Sequence, residues 1–123
     1  MPNYTYDHLH LISSDPLKTA EYYEKTFNAK RVVVNKLADG RTIARIKLSG
    51  VNIFITTPGS REEITGFNHL AIETDDIDAA VKDIKASGAK FKQEIKAGSP
   101  GVRAAFFWTP ENLLIELLER KPV

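Results

Sequence analysis

His8-Leu9-His10-Leu11-Ile12-Ser13-Ser14-Asp15 returns later in the chain as His69-Leu70-Ala71-Ile72-Glu73-Thr74-Asp75-Asp76. His8 and His69 are 61 residues apart, Asp15 and Asp76 are 61 apart, and Lys30 and Lys90 are 60 apart. A near-constant offset over about thirty residues marks two copies of one supersecondary unit. Paired copies place equivalent residues around a pseudo-twofold axis. Two histidines can therefore converge on one point, and a shared metal site is the first chemistry to test.

Working outward from the first copy, Tyr4 to Ile12 reads as a strand, with Tyr6, His8, His10 and Ile12 on one face and Leu9 and Leu11 on the other. Asp15 can cap a helix whose first turn accepts Pro16, where no N–H is needed. Leu17, Ala20, Tyr23 and Phe27 follow helical spacing and are expected to pack on a sheet, and Asn28 stands where a left-handed stop residue belongs, as Gly88 does in the second copy. Lys30–Leu37 and Arg41–Leu48 read as a hairpin about Ala38-Asp39-Gly40, and Val51–Thr57 as a further strand.

The stretch 58–65 reads as a connector. The second copy reads as strand Gly66–Thr74, helix Ile77–Ser87 capped by Asp75 or Asp76, and strands Ala89–Ala97, Val102–Thr109 and Leu113–Glu119. The second helix should bury Ile77, Ala80, Val81 and Ile84. Lys96–Gly101 is expected to break the ladder as a mobile loop, and Asn112 suits positive φ in the turn Pro110-Glu111-Asn112. The order is βαβββ twice. The expected fold is α+β: one domain over 1–123, with module 1 at about 4–57 and module 2 at about 66–120, forming one curved mixed sheet with the helices outside.

Bulk properties narrow the function. At 123 residues the chain is one domain able to bury a core, and 42% hydrophobic with 27% charged residues is the balance of a soluble globular protein. A net charge of +1 gives no reason to invoke nucleic acid or an anionic membrane surface. Met1-Pro2-Asn3-Tyr4 lacks the start of a signal peptide, and no apolar run approaches the roughly 20 residues that span a bilayer. With no cysteine, any transition-metal site must use histidine, carboxylate and water, and a cytoplasmic location is expected.

The final strand supplies a carboxylate. Glu116 shares a face with Leu114 and Leu118, and a carboxylate among leucines needs a cation, a metal or a proton. His8, His69 and Glu116 together would make a three-ligand set with open positions, suited to Fe(II), Mn(II), Co(II), Ni(II) or Zn(II). Taken one at a time, the histidines can equally be core or surface residues, with Glu116 paired to an arginine.

On these residues the chain resembles the vicinal oxygen chelate superfamily of glyoxalases, bleomycin-resistance proteins and extradiol dioxygenases, over nearly its whole length. The resemblance is carried by Asp7-His8-Leu9 with Asp15, Tyr22-Tyr23 before Phe27-Asn28, and Asn68-His69-Leu70-Ala71-Ile72 with Asp75-Asp76. Thr109-Pro110-Glu111-Asn112-Leu113-Leu114-Ile115-Glu116-Leu117 closes it, with a turn that departs from the family's usual Asp-Pro-Asp-Gly. The resemblance implies a glyoxalase-like fold and metal ligands at His8, His69 and Glu116. It implies a lyase or isomerase whose divalent metal chelates neighbouring oxygens of a small substrate, in a chain that forms a homodimer. Glu116 would be ligand and possible base.

Alignment of the copies puts Phe54 opposite Glu116 at an offset of 62, where glyoxalase- and epimerase-like members usually carry a fourth ligand. Asn52 and Thr56 share Phe54's face but lie about 7 Å along the strand. The three-ligand set that remains resembles that of Fe(II)-dependent extradiol dioxygenases, the alternative enzyme. A metal-free binding protein of the bleomycin-resistance kind is the alternative of another class, and it would not need the triad. His10, also displaced by about 7 Å from His8 along its strand, is a second catalytic candidate: a base, a donor to substrate, a substitute ligand, or a cavity-wall residue. Glu73, Trp108, Tyr22 and Tyr23 read as surface or packing residues, and Arg45 and Arg103 as solvated strand residues or anion binders.

Overall fold

The computed structural model describes residues 2–59 and 65–122. Most of the expected connector, residues 60–64, lies outside the described residues. The elements run β1 (Tyr4–Ile12), α1 (Pro16–Phe27), β2 (Lys30–Lys36), β3 (Thr42–Leu48), β4 (Val51–Thr56), β5 (Gly66–Thr74), α2 (Ile77–Ala86), β6 (Lys90–Ala97), β7 (Val102–Trp108) and β8 (Leu114–Arg120). Each expected element is present, and βαβββ occurs twice.

The chain forms two compact units, residues 8–68 and residues 69–123 with 1–7, so β1 passes from one to the other between Asp7 and His8.

In the unit of residues 8–68 the strands lie in the order β2-β3-β4-β1. β1 and β4 are parallel, with Leu9 beside Ile53 and His10 beside Phe54, while β3 runs antiparallel to β4, with Arg45 beside Phe54. α1 begins where the Asp15 carboxylate accepts from the Lys18 N–H at 3.2 Å, and it ends at Asn28, left-handed with φ 61°. Ala20, Ala29, Ala44, Ile46, Ile53 and Ile55 form the core under this helix, flanked by Leu9, Leu11 and Tyr23. Each Ile so buried contributes about 1.5–3 kcal/mol.

The expected helical face holds for Ala20, which is buried, and for Tyr23, which packs on the core, but not for Leu17 and Phe27. Pro16 and Ala20 are buried, whereas Leu17 is 45% and Phe27 50% exposed. Leu17 lies about 100° around the helix from Pro16. Phe27 is on the right face but in the last turn, where its ring meets Tyr22 and Tyr23 instead of the sheet.

In the other unit the order is β5-β8-β7-β6. β5 and β8 are parallel, with Ala71 beside Glu116, and β7 runs antiparallel to β8, with Phe106 beside Glu116. The cap of α2 is Asp76, accepting from the Ala79 N–H at 3.1 Å, and Ile77, Ala80 and Val81 are buried as expected with Ala105 and Leu117. The buried Glu119 accepts from the Ile77 N–H at 3.0 Å and from Arg103 at 3.0 Å, while Arg103 also binds Asp78 at 2.9 Å. A carboxylate at the positive end of a helix, joined to a guanidinium, satisfies charges that would be costly alone. Those bonds, to Asp78 first and then Glu119, hold the pKa of Arg103 above its usual value. Arg103 is thus a structural ion-pair residue.

The stretch 96–101 is more regular than its composition suggests. The β6–β7 ladder continues to Ala97 beside Arg103, and Gly98 N–H to Val102 O (3.0 Å) and Val102 N–H to Ser99 O (2.9 Å) close the hairpin. Glycine and proline shape this turn without breaking the ladder.

A candidate metal centre

Strand alternation decides which side chains face away from the helices. On β8, Leu117 joins the core under α2, so Glu116 points to the other face; on β5, Ile72 packs on that core and His69 and Ala71 point away. The turn before β8 fixes this phase. Asn112 takes φ 66°, its N–H reaches Thr109 O at 2.9 Å, and the Leu113 N–H reaches Thr109 Oγ1 at 3.0 Å. A slip of one residue would put Ile115 in the place of Glu116.

On that face His69 Nε2 and Glu116 Oε1 are 3.1 Å apart. His69 is 6% exposed, its ring edge-on to Phe106 at 5.3 Å between centroids, and Leu114 and Leu118 flank Glu116. Two donors bound to one ion at about 2.1 Å each, subtending about 90–110°, stand about 3.0–3.5 Å apart. The pair therefore fits adjacent places on a divalent ion, and a nitrogen with an oxygen suits Fe, Mn, Co, Ni or Zn. The same 3.1 Å is also hydrogen-bond distance between the imidazole and the carboxylate.

The equivalent face of the other unit carries His8, His10, Phe54 and Thr56. His8 is 4% exposed, and its ring lies flat on Phe54, centroids 3.8 Å apart and planes 16° from parallel. The Arg45 guanidinium sits over the same Phe54 ring at 4.7 Å, and its Nε is buried with no hydrogen-bond partner among the described residues. Arg45 is thus half-buried against an aromatic face, not solvated.

His10 Nδ1 approaches His8 Nε2 to 3.4 Å, and His10 Nε2 lies 2.9 Å from Thr56 Oγ1. The expectation that His10 stands about 7 Å from His8 holds for their backbone positions but not for their rings. The imidazoles tilt toward each other at 55°, and the Thr56 hydroxyl is hydrogen-bonded to His10.

Asp7, next to His8, accepts from Arg120 Nη2 at 3.1 Å, and Glu73 lies 3.5 Å from Arg120. Arg120 is held above the usual arginine pKa, first by its hydrogen bond to Asp7 and then by the charges of Asp7, Glu73 and Glu116. Glu73 is accordingly a member of an ion-pair network.

The sequence reading did not single out Phe106 beside His69. Its signal is the repeat, which places Phe106 61 residues after Arg45, with both residues flanking the Phe54/Glu116 position. A surface cavity of about 560 Å³ is lined by Ile84, Phe107, Trp108 and Pro110. It opens on the α2 side of β7, opposite the face of Phe106, and holds none of these candidate ligands.

The family model described as the glyoxalase/bleomycin resistance protein/dioxygenase superfamily matches residues 5–117, and the chain belongs to that family. A hypothetical protein from Bacillus halodurans C-125 is similar in structure, with TM-score 0.80 and 21% identity over 98% of this chain and 97% of its own. Methylmalonyl-CoA epimerase from Mycobacterium tuberculosis is similar with TM-score 0.75 and 22% identity, covering 95% of this chain and 88% of its own. A variant of the Streptomyces coelicolor methylmalonyl-CoA epimerase, in complex with 2-nitronate-propionyl-CoA, gives TM-score 0.71 and 23% identity over 97% and 96%. No curated protein matches the sequence. These likenesses establish the α+β glyoxalase-like fold expected from the repeat. Among the described residues no helix is long and apolar enough to cross a membrane.

Proposed function

We propose that the chain is a metal-dependent enzyme of lyase or isomerase type, acting on a small substrate with neighbouring oxygens, and that His8, His69 and Glu116 hold one divalent transition-metal ion. The observation that carries the reading is the part-buried His69–Glu116 pair, whose 3.1 Å separation is ligand spacing. Such an ion, when bound, supplies Lewis-acid polarisation of two substrate oxygens. The chain's own residues do the rest. Glu116 is the carboxylate placed to take or return a proton. Phe106 and Phe54 wall His69 and His8 with rings that limit water, and Ala71 leaves space beside Glu116. His10 is the second proton carrier considered, although its Nε2 already has a partner in Thr56.

The structural likeness to methylmalonyl-CoA epimerases makes a 2-substituted acyl thioester the first substrate class to assay, by exchange of its C2 proton in deuterated water. Phe54 at the position equivalent to Glu116 favours a second reading, ring-cleaving dioxygenation by a two-histidine, one-carboxylate site. Oxygen uptake with catechols in the presence of Fe(II) distinguishes it. Elemental analysis after reconstitution tests both. About one equivalent of metal is expected in the wild type and almost none in His69→Ala with its fold retained, whereas a wild type below about a tenth of an equivalent overturns both readings and leaves a metal-free binding protein. The proposal includes a cytoplasmic homodimer, for which sedimentation gives the assembly state.

A further inference from the structure

The two copies differ at the same ladder position in a compensating way. In one, Glu116 of β8 stands between Ala71 of β5 and Phe106 of β7. In the other, Phe54 of β4 stands between His10 of β1 and Arg45 of β3. His10 corresponds to Ala71 at an offset of 61, and Phe54 to Glu116 at 62. One copy thus sets a carboxylate beside a methyl group, and the other sets a phenyl ring beside an imidazole. Phe54 has no lone pair to offer, and its ring is committed to His8.

The donor that Glu116 provides next to His69 has a counterpart next to His8. His10 Nδ1 is 3.4 Å from His8 Nε2, against 3.1 Å between Glu116 Oε1 and His69 Nε2. Both distances fall in the window of about 3.0–3.5 Å for two donors on one ion. His10's other nitrogen has a partner: Nε2 lies 2.9 Å from Thr56 Oγ1, which can accept its proton, and that tautomer leaves the lone pair on Nδ1, the atom that faces His8. A ligand histidine is normally held by such a bond from its second nitrogen.

We propose that His10 is itself a metal ligand through Nδ1, taking the place that Phe54 leaves vacant, with Thr56 as its positioning residue; this rests on the reading that His8 binds a metal. His10 is then a fixed donor and not a mobile base. Its ligand, supplied from β1, replaces one that symmetry would place on β4.

The experiment is X-ray absorption on the full chain loaded with one equivalent of zinc, counting coordinated imidazoles in wild type, His10→Ala (the residue at the equivalent position 71) and His69→Ala. Three imidazoles are expected in the wild type and two in His10→Ala, with zinc binding weakened at least tenfold, as loss of an outer-shell partner alone can do. Two imidazoles in both, with equal affinity, would overturn the assignment of His10 and leave the metal reading intact. No zinc in the wild type, or binding unaltered in His69→Ala, would overturn the metal reading itself. If His10→Ala does not fold, His10→Gln, which keeps a polar group beside Thr56, repeats the comparison under the same criteria.

Discussion

Thr56→Val should cost the protein metal affinity although Thr56 binds no metal. The side chain is 1% exposed, and valine has nearly the same shape, so no cavity opens. The bond from the Ser13 N–H to Thr56 O is a main-chain contact and survives, as does the alignment of Thr56 with Ile12 on β1. What goes is the 2.9 Å contact between Oγ1 and His10 Nε2. A partly buried imidazole nitrogen left without that partner costs about 1–3 kcal/mol. For the metal, loss of the bond that orients a ligand imidazole weakens affinity about 10–100-fold, or about 1.4–2.7 kcal/mol. Urea unfolding of the metal-free protein reads the first quantity, and competition for zinc against a chelator reads the second. The stabilisation that saturating zinc adds should shrink by the same amount as the binding free energy. Thr56→Ser, which restores the hydroxyl, should recover most of both. Zinc affinity in Thr56→Val within twofold of wild type would refute the reasoning, since it would mean that nothing oriented by Thr56 contributes to the site.

Glu119→Ala should destabilise the protein by about 2–4 kcal/mol, because the Ile77 N–H loses its acceptor and Arg103 one of two partners. Glu119→Gln should cost about half as much. Urea midpoints with unchanged slope test this, and a loss below about 0.5 kcal/mol for Glu119→Ala would show that Asp78 alone suffices. Asp75 accepts from the Asn3 N–H at 2.9 Å and from Asn3 Nδ2 at 2.7 Å, bonds that hold its carboxyl below the usual aspartate value. A depressed folded-state pKa gives stability that is present above the unfolded value of about 3.9 and lost as pH falls through the lower folded one. The stability difference between wild type and Asp75→Ala, measured at neutral pH, should therefore diminish on acidification below about pH 4, and a difference constant with pH would contradict the linkage.

Much of the fold is written in punctuation. Asp15 and Asp76 as caps, Asn28 as a left-handed stop, and Asn112 at positive φ are read from residue type because the physics that selects them is local. The repeat carries further, since the observed register sets Phe54 and Glu116 between equivalent neighbours. The face of α1 was less legible. Pro16 and Ala20 carry so little apolar bulk that Leu17 and Phe27 dominate the pattern while standing outside the core. Glu119 shows a different limit: in the sequence it is only the end of an apolar strand, and folding alone brings the α2 N-terminus to it. His10 shows the third, because strand spacing governs Cα positions while the reach and tilt of a ring govern where its nitrogens fall.

Asp7 and Arg120 are joined across 113 positions of sequence. Closing a loop of that length carries an entropy cost of order (3/2)RT ln n, about 4 kcal/mol, before any contact within it is rewarded. Contacts of this separation form late in folding, after hairpins such as β2–β3 and β6–β7, whose partners are near in sequence. The backbone one residue before His8 is therefore among the last to be anchored. The start of β1 is thus fixed only once β8, the last strand to leave the ribosome, is in place to receive it.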